Sequence, residues 1–119
     1  MYLVPRPKKC RRVCGLPENP AFIPLNGGDK RPVVLTVDEY EAVRLLDREG
    51  LSQEECGAYM KVARTSVQLI YASARKKIAE ALVEGRPLKI EGGDYMLCDG
   101  GETDCRLSGC RKRRCRISE

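Results

Sequence analysis

Histidine and tryptophan are absent from this 119-residue chain, and phenylalanine occurs once, at Phe22. Without histidine the commonest general base is missing, together with every Ser/His or Cys/His catalytic pair. No Gly-rich phosphate loop and no recognisable pair of catalytic carboxylates takes its place, so the sequence argues against an enzyme. The scarcity of aromatic rings removes any obvious platform for stacking single-stranded bases and leaves the core to aliphatic side chains. No apolar run approaches the ~20 residues of a membrane span. The basic, proline-containing stretch Met1–Cys14 also lacks the continuous apolar segment of a secretion signal. These absences predict a cytoplasmic protein with no membrane partner.

Charge is present and segregated. The net value is +5, but Arg6, Lys8, Lys9, Arg11 and Arg12 crowd one end without an acid. Arg106, Arg111, Lys112, Arg113, Arg114 and Arg116 crowd the other. Clustered cations suit a phosphate surface, because Lys and Arg release counterions on meeting DNA; a solvated basic tail is the alternative. Seven cysteines are many for this length. In a reducing compartment such a count points to metal ligation or to buried thiols rather than to disulfides.

Local patterning divides the chain into four stretches. Residues 1–32, with Pro5, Pro7, Pro17, Pro20 and Pro24, read as a basic extended arm with a short strand around Arg11–Cys14. Residues 33–87 carry the helical signals. Thr36 with Glu39, and Ser52 with Glu55, form capping boxes that start two helices. Gly50 stops the first helix, and Gly85 and Pro87 stop a third that begins near Arg64. In the first helix Tyr40, Val43, Leu45 and Leu46 form the inner face, and Asp38, Glu41, Arg44 and Arg48 point outward. The third helix has an apolar stripe of Val67, Ile70 or Tyr71, Ala74, Ile78 and Leu82. Residues 88–97 alternate around Gly92-Gly93 and read as a β-hairpin. Residues 98–119 are a cysteine-rich basic tail without apolar periodicity. The fold class expected is mainly α, with an extended N-terminal arm and a small C-terminal hairpin.

The second and third helices fit a helix-turn-helix. Cys56, Met60, Val62, Val67 and Ile70 are apolar where two such helices cross, and Gly57 is small where they approach. Lys61 stands where the turn usually has glycine, at a strain cost of about 1 kcal/mol. From the leading turns of the third helix Arg64, Thr65, Ser66, Gln68 and Leu69 would face the major groove. Arg matches guanine, Gln matches adenine, and Thr, Ser or Leu meet a thymine methyl or a phosphate. Gln53, Arg75, Lys76, Lys77, Lys8, Lys9, Arg11 and Arg12 are the candidate phosphate contacts. An ordinary helical hairpin with a solvated face is the competing reading.

The stretch Ala42–Leu82, including "EGLSQEE" and "ARKKIAEAL", resembles region 4 of bacterial sigma factors. A wider set of blocks is similar to an uncharacterised prokaryotic family of helix-turn-helix proteins. These are "RPKKCRRVC" at 6–14, "LTVDEYEAVRLLDREGLSQEE" at 35–55, "SARKKIAEALVEG" at 73–85 and "IEGGDY" at 90–95. That resemblance implies a sigma-like fold and a regulatory role, with duplex DNA as partner and RNA polymerase as a further one. The helices with which a sigma factor holds core polymerase are missing, so a working sigma factor is not implied. Some relatives resemble fusions to domains that handle the iron–molybdenum cofactor of nitrogenase, which implies metal or redox regulation.

Cys10-x3-Cys14 near one end and Cys98, Cys105, Cys110 and Cys115 near the other are the candidate metal ligands, for zinc or an iron–sulfur cluster. Free thiols and disulfides are the alternatives. Cys56, pointing into the helix crossing, belongs to the core. The function expected is a dimeric, sequence-specific transcriptional regulator, because one short reading helix gives little specificity alone. A metal- or redox-sensing protein whose helical unit binds another protein is the runner-up.

Overall fold

The computed structural model describes residues 11–98. Among these, three strands precede three α-helices and two strands follow them, in a mixed α/β arrangement. The strands are β1 (Arg11–Val13), β2 (Ala21–Phe22), β3 (Val33–Leu35), β4 (Leu88–Ile90) and β5 (Tyr95–Leu97). The helices are α1 (Val37–Val43), α2 (Gln53–Met60) and α3 (Arg64–Glu84). Both predicted capping boxes are present. Thr36 and Ser52 each accept from the backbone N–H three residues on, and Glu39 and Glu55 reach back to the cap N–H. After α1 the chain widens into a π-turn over Arg44–Arg48, and Gly50 at φ 75° then releases it from the helix.

The expected hairpin is not formed. β4 and β5 exist, but β5 pairs in parallel with β1, and β4 lies between β2 and β3 in a separate sheet. The residues between them explain why. The Gly92 carbonyl accepts from Val37 N–H at 3.0 Å, and a Cβ on Gly93 would overlap Asp38 and Thr36. This glycine pair therefore packs onto the start of α1 instead of turning β5 back along β4. The fold class is accordingly not mainly α with a terminal hairpin. Two small sheets assembled from both ends of the described chain brace the helices.

Part of the expected arm is likewise built in. Val13 is fully buried beside Leu35, Val37, Ala74 and Ile90, in a cluster that joins the sheets to α1 and α3. A second cluster of Ala42, Leu45, Cys56, Met60, Val67, Ile70 and Cys98 holds α1, α2 and the first half of α3 together.

Two expectations about facing are corrected. Asp38, Glu41 and Arg44 are buried, not outward. Both strand β1 and helix α3 pack on α1, and the polar face of α1 is enclosed. Leu82, placed in the apolar stripe of α3, is 77% exposed. It borders an open apolar groove with Phe22, Ile23, Ile78 and Leu88 and is itself part of neither core cluster.

Within the enclosed polar face Glu41 finds its partners internally, while Asp38 Oδ1 and Arg44 Nη1 are buried without a hydrogen-bond partner. Arg44 donates from Nε and Nη2 to the two Glu41 oxygens at 2.9 and 3.0 Å, and the Cys14 N–H donates to Glu41 Oε2 at 3.0 Å. Burial works against the Arg44 cation. The hydrogen bonds and charge of Glu41 outweigh it and push the guanidinium above its ordinary range.

Candidate nucleic-acid interface

The connection between α2 and α3 is three residues long, Lys61 to Ala63, and its geometry follows from two positions. Gly57 is buried, and a Cβ there would lie 2.7 Å from the Val62 carbonyl oxygen and 3.5 Å from Val67 Cγ2. Real Cβ atoms do not approach that closely, so only glycine lets the turn fold back on α2. Lys61 closes α2 in the left-handed conformation, φ 61° and ψ 45°, with its N–H on the Gly57 carbonyl. It is the one non-glycine residue with positive φ among those described. The strain anticipated at a lysine in this place is therefore present.

From this turn α3 runs 21 residues, roughly 30 Å. Val67 and Ile70 anchor it in the core, while Arg64, Thr65, Gln68 and Leu69 are exposed and Ser66 is half-buried. Four of the five residues expected to read bases thus lie on the outer side of its first two turns, with Ser66 at the margin. Ala63 supplies no side-chain cap; its carbonyl accepts from the Ser66 N–H at 3.0 Å, so the Arg64 and Thr65 N–H groups are the ones no cap side chain serves.

Gln53, expected at a phosphate, instead joins the two helices. Its Oε1 accepts from Gln68 Nε2 at 3.1 Å and from Arg64 Nε at 3.3 Å. Sequence reasoning missed this because the three residues are eleven and fifteen positions apart and meet only across the folded turn. The signal available was chemical: two glutamines and an arginine at the open ends of adjoining helices.

The remaining candidates are dispersed. Lys76 is exposed on α3. Arg75 donates to the Tyr71 hydroxyl at 2.6 Å and lies over its ring at 5.2 Å, while Tyr71 donates to Asp47 at 2.7 Å. That hydrogen bond to Asp47 pushes the Tyr71 phenol up from its ordinary value. Lys77 is paired with Glu39 at 2.8 Å. Arg11 is held between Asp38 and Asp94, each at 3.6 Å, and Arg12 donates to the Tyr59 carbonyl at 2.8 Å. Arg11, Arg12 and Lys77 therefore have structural partners that the sequence did not disclose. Lys8, Lys9, Cys10, Cys105, Cys110 and Cys115 lie outside the described residues.

Of the other cysteines, Cys56 and Cys98 are buried in the same core cluster, and Cys14 packs against it. Burial pushes the Cys56 thiol up to about 12, which suits a packing residue and not a ligand. Among the described residues no group of three or more His, Cys, Asp or Glu side chains converges as a metal-binding set. No helix among them is long and apolar enough to cross a membrane.

Comparison with known proteins places the chain in a family. The family described as "Protein of unknown function DUF134" matches residues 1–98. A "UPF0251 protein" of Desulfitobacterium hafniense (strain DSM 10664 / DCB-2) is 58% identical over 116 residues, covering 96% of this chain and 92% of that protein. One from Caldicellulosiruptor saccharolyticus is 52% identical over 93 residues, 78% of this chain and 66% of its own length. One from Moorella thermoacetica is 47% identical over 110 residues, 89% and 72% respectively. No solved structure matches. The match across residues 1–98, with these identities, establishes that the chain belongs to the DUF134 family, whose relatives carry the name UPF0251.

Proposed function

We propose that this chain is a non-enzymatic, sequence-specific duplex-DNA-binding protein that uses α2, the turn and α3 as a sigma-region-4-like helix-turn-helix to regulate transcription. The observation that carries this reading is the three-residue turn closed on Gly57. It holds two helices rigidly against each other while Arg64, Thr65, Gln68 and Leu69 project from the exposed start of the second. A helix presented by its N-terminal turns fits the major groove, and its uncapped N–H groups favour a phosphate at the groove edge. Gln53 adds preorganisation. By taking one N–H of the exposed Gln68 it leaves that amide's oxygen and second N–H for a base, the pair that matches adenine. Lys76 and Arg75, farther along α3, are the phosphate contacts of this interface. Dimerisation on a two-half-site operator supplies the specificity a single reading helix lacks.

The test is selection of bound sequences from a random duplex library, followed by affinity measurement across a salt series. A defined motif is expected, with a linear fall of log K against log salt. Arg64→Ala and Gln68→Ala should each weaken binding to it by about 1–3 kcal/mol and relax one base position. Failure to enrich any duplex, or unchanged preference in both variants, would overturn the proposal.

A further inference from the structure

The open apolar groove lies at the C-terminal end of α3, the opposite end from the residues assigned to base reading. We propose that it is a homodimer interface. A second copy of this chain covers it across a two-fold axis, with Leu25 and Leu82 as the anchors.

Two pieces of chain build the groove. Ile78, Ala81 and Leu82 recur at i, i+3 and i+4 and so share one side of α3. Phe22, Ile23 and Pro24 form the other wall, enclosing a volume of about 460 Å³. Their segment is held in place: Phe22 pairs with Leu88 in the sheet, and the Gly27 N–H donates to the Pro24 carbonyl at 3.3 Å to close a tight turn. Gly28, at φ 124°, comes so near that a Cβ there would stand 2.7 Å from Ile23 Cγ2. Leu25 occupies the tip of this turn. Gly, Pro, Asn, Asp and Ser ordinarily fill such places. A solvated leucine on a fixed turn is an apolar knob already ordered for contact, so little freedom is lost when it is covered.

The exposed area matches what a dimer needs. Phe22, Ile23, Leu25 and Leu82 are 55, 64, 101 and 77% exposed, which at about 200 Å² for a large side chain gives roughly 600 Å². A lone exposed leucine signifies little, but an apolar patch of this size is at the upper end of what a monomer shows. It supplies about three-quarters of the ~800 Å² that each partner brings to a standard interface, close to the apolar share of homodimer contacts.

Charge selects the partner. Arg86 is the one charged side chain among the described residues lining the groove. Its Nη1 pairs with Glu84 at 3.1 Å and its Nε donates to the Arg31 carbonyl at 2.9 Å. Lys30 donates from Nζ to the Glu84 carbonyl at 2.7 Å. The patch therefore presents no field of one sign to draw a nucleic acid, an anionic membrane or a highly charged peptide. A copy of itself meets no like-charge repulsion there. A two-fold contact requires only that the surface complement itself, and knob and groove on the same face do so: each Leu25 enters the groove of the other copy. The position also suits an operator with two half-sites. From Ser66 to Leu82 α3 rises about 24 Å. Two such arms meeting beside Leu82 hold their reading turns about 34–36 Å apart when the α3 axes are inclined at about 90°; this use of the dimer rests on the helix-turn-helix reading.

The full reduced chain is sedimented without DNA over a concentration series. A monomer–dimer equilibrium is expected. Leu82→Asp and Leu25→Asp should each raise its dissociation constant by at least about 30-fold, the effect of losing a central anchor. Val83→Asp, at the next position of α3 but outside the groove, should leave it unchanged. All three positions are exposed, and circular dichroism melts check that each variant folds; Leu25, at a turn tip, keeps the test decisive if the helix variant does not. A wild type that stays monomeric at its highest soluble concentration overturns the inference. So does a dimer that persists in both folded variants, or one that Val83→Asp weakens equally. Monomers that bind phospholipid vesicles through Leu25 in place of one another overturn it as well. DNA binding is read separately, on duplexes carrying one or two copies of the selected half-site. Leu82→Asp should match the wild type on one half-site and lose its gain on two; a variant that keeps the gain overturns the interface. A Leu82-dependent dimer that binds no duplex leaves the interface standing and removes the helix-turn-helix reading instead.

Discussion

Replacing Arg44 by Met removes one half of a buried ion pair and leaves the other half in place. Glu41 is 1% exposed. It would lose two charge-assisted hydrogen bonds, at 2.9 and 3.0 Å, and keep only the one from the Cys14 N–H. A buried carboxylate stripped of its partner destabilises a fold by about 3–5 kcal/mol, most of it the uncompensated charge and not the net worth of the pair. Against the ~5–15 kcal/mol that holds a typical domain together, the change is large. With a denaturant slope of about 1–3 kcal/mol/M, the urea midpoint should fall by about 2 M. The second variant separates charge from shape. Arg44→Met with Glu41→Gln removes the buried charge yet keeps an amide oxygen for the Cys14 N–H, so it should recover more than half of the loss. Urea unfolding followed by circular dichroism measures both. A single-variant loss under about 1 kcal/mol, or a double variant no more stable than the single, would refute this account of the α1 interior.

The turn supports two opposite predictions. Lys61→Gly should stabilise by about 0.5–1 kcal/mol, because relief of the left-handed strain exceeds the added freedom of the unfolded chain. Gly57→Ala should destabilise by about 1 kcal/mol, the clash with the Val62 carbonyl outweighing alanine's better helix propensity; thermal melts of both check the sign. Glu39 makes stability pH-dependent. Burial acts to raise its carboxyl, but hydrogen bonds from Lys77, Ser73 and the Thr36 N–H, with the charge of Lys77, hold it below the ordinary value of 4.5. Its contribution should be complete above pH 4.5 and lost as pH falls through the lowered value. Lys77→Met should flatten that acid limb in a series of melts.

The helical elements were legible in the sequence because their signals are local. A capping box spans four residues, and the hydroxyl and carboxylate at Thr36/Glu39 and Ser52/Glu55 satisfy N–H groups that any helix start exposes. Gly50 and Gly85 mark stops for an equally local reason, a left-handed residue that only glycine adopts cheaply. Val67 and Ile70 followed from helical periodicity, as did the exposure of Arg64 and Gln68. What tertiary structure decided was which partners these elements found. β4 and β5 have the alternation of a hairpin. Strand pairing, however, depends on which edges are free, and the glycine pair between them was taken up by the start of α1. Glu41 and Arg44 have the polarity of a solvated helix face. Burial became tolerable only because β1 brought the Cys14 N–H to the same carboxylate, 27 residues away in sequence. Gln53 reaches Gln68 and Arg64 through a turn whose closeness is set by the missing Cβ of Gly57. Local hydrogen bonding and periodicity are written within a few residues, while desolvation, strand pairing and ion pairing depend on distances that exist only after the chain has folded.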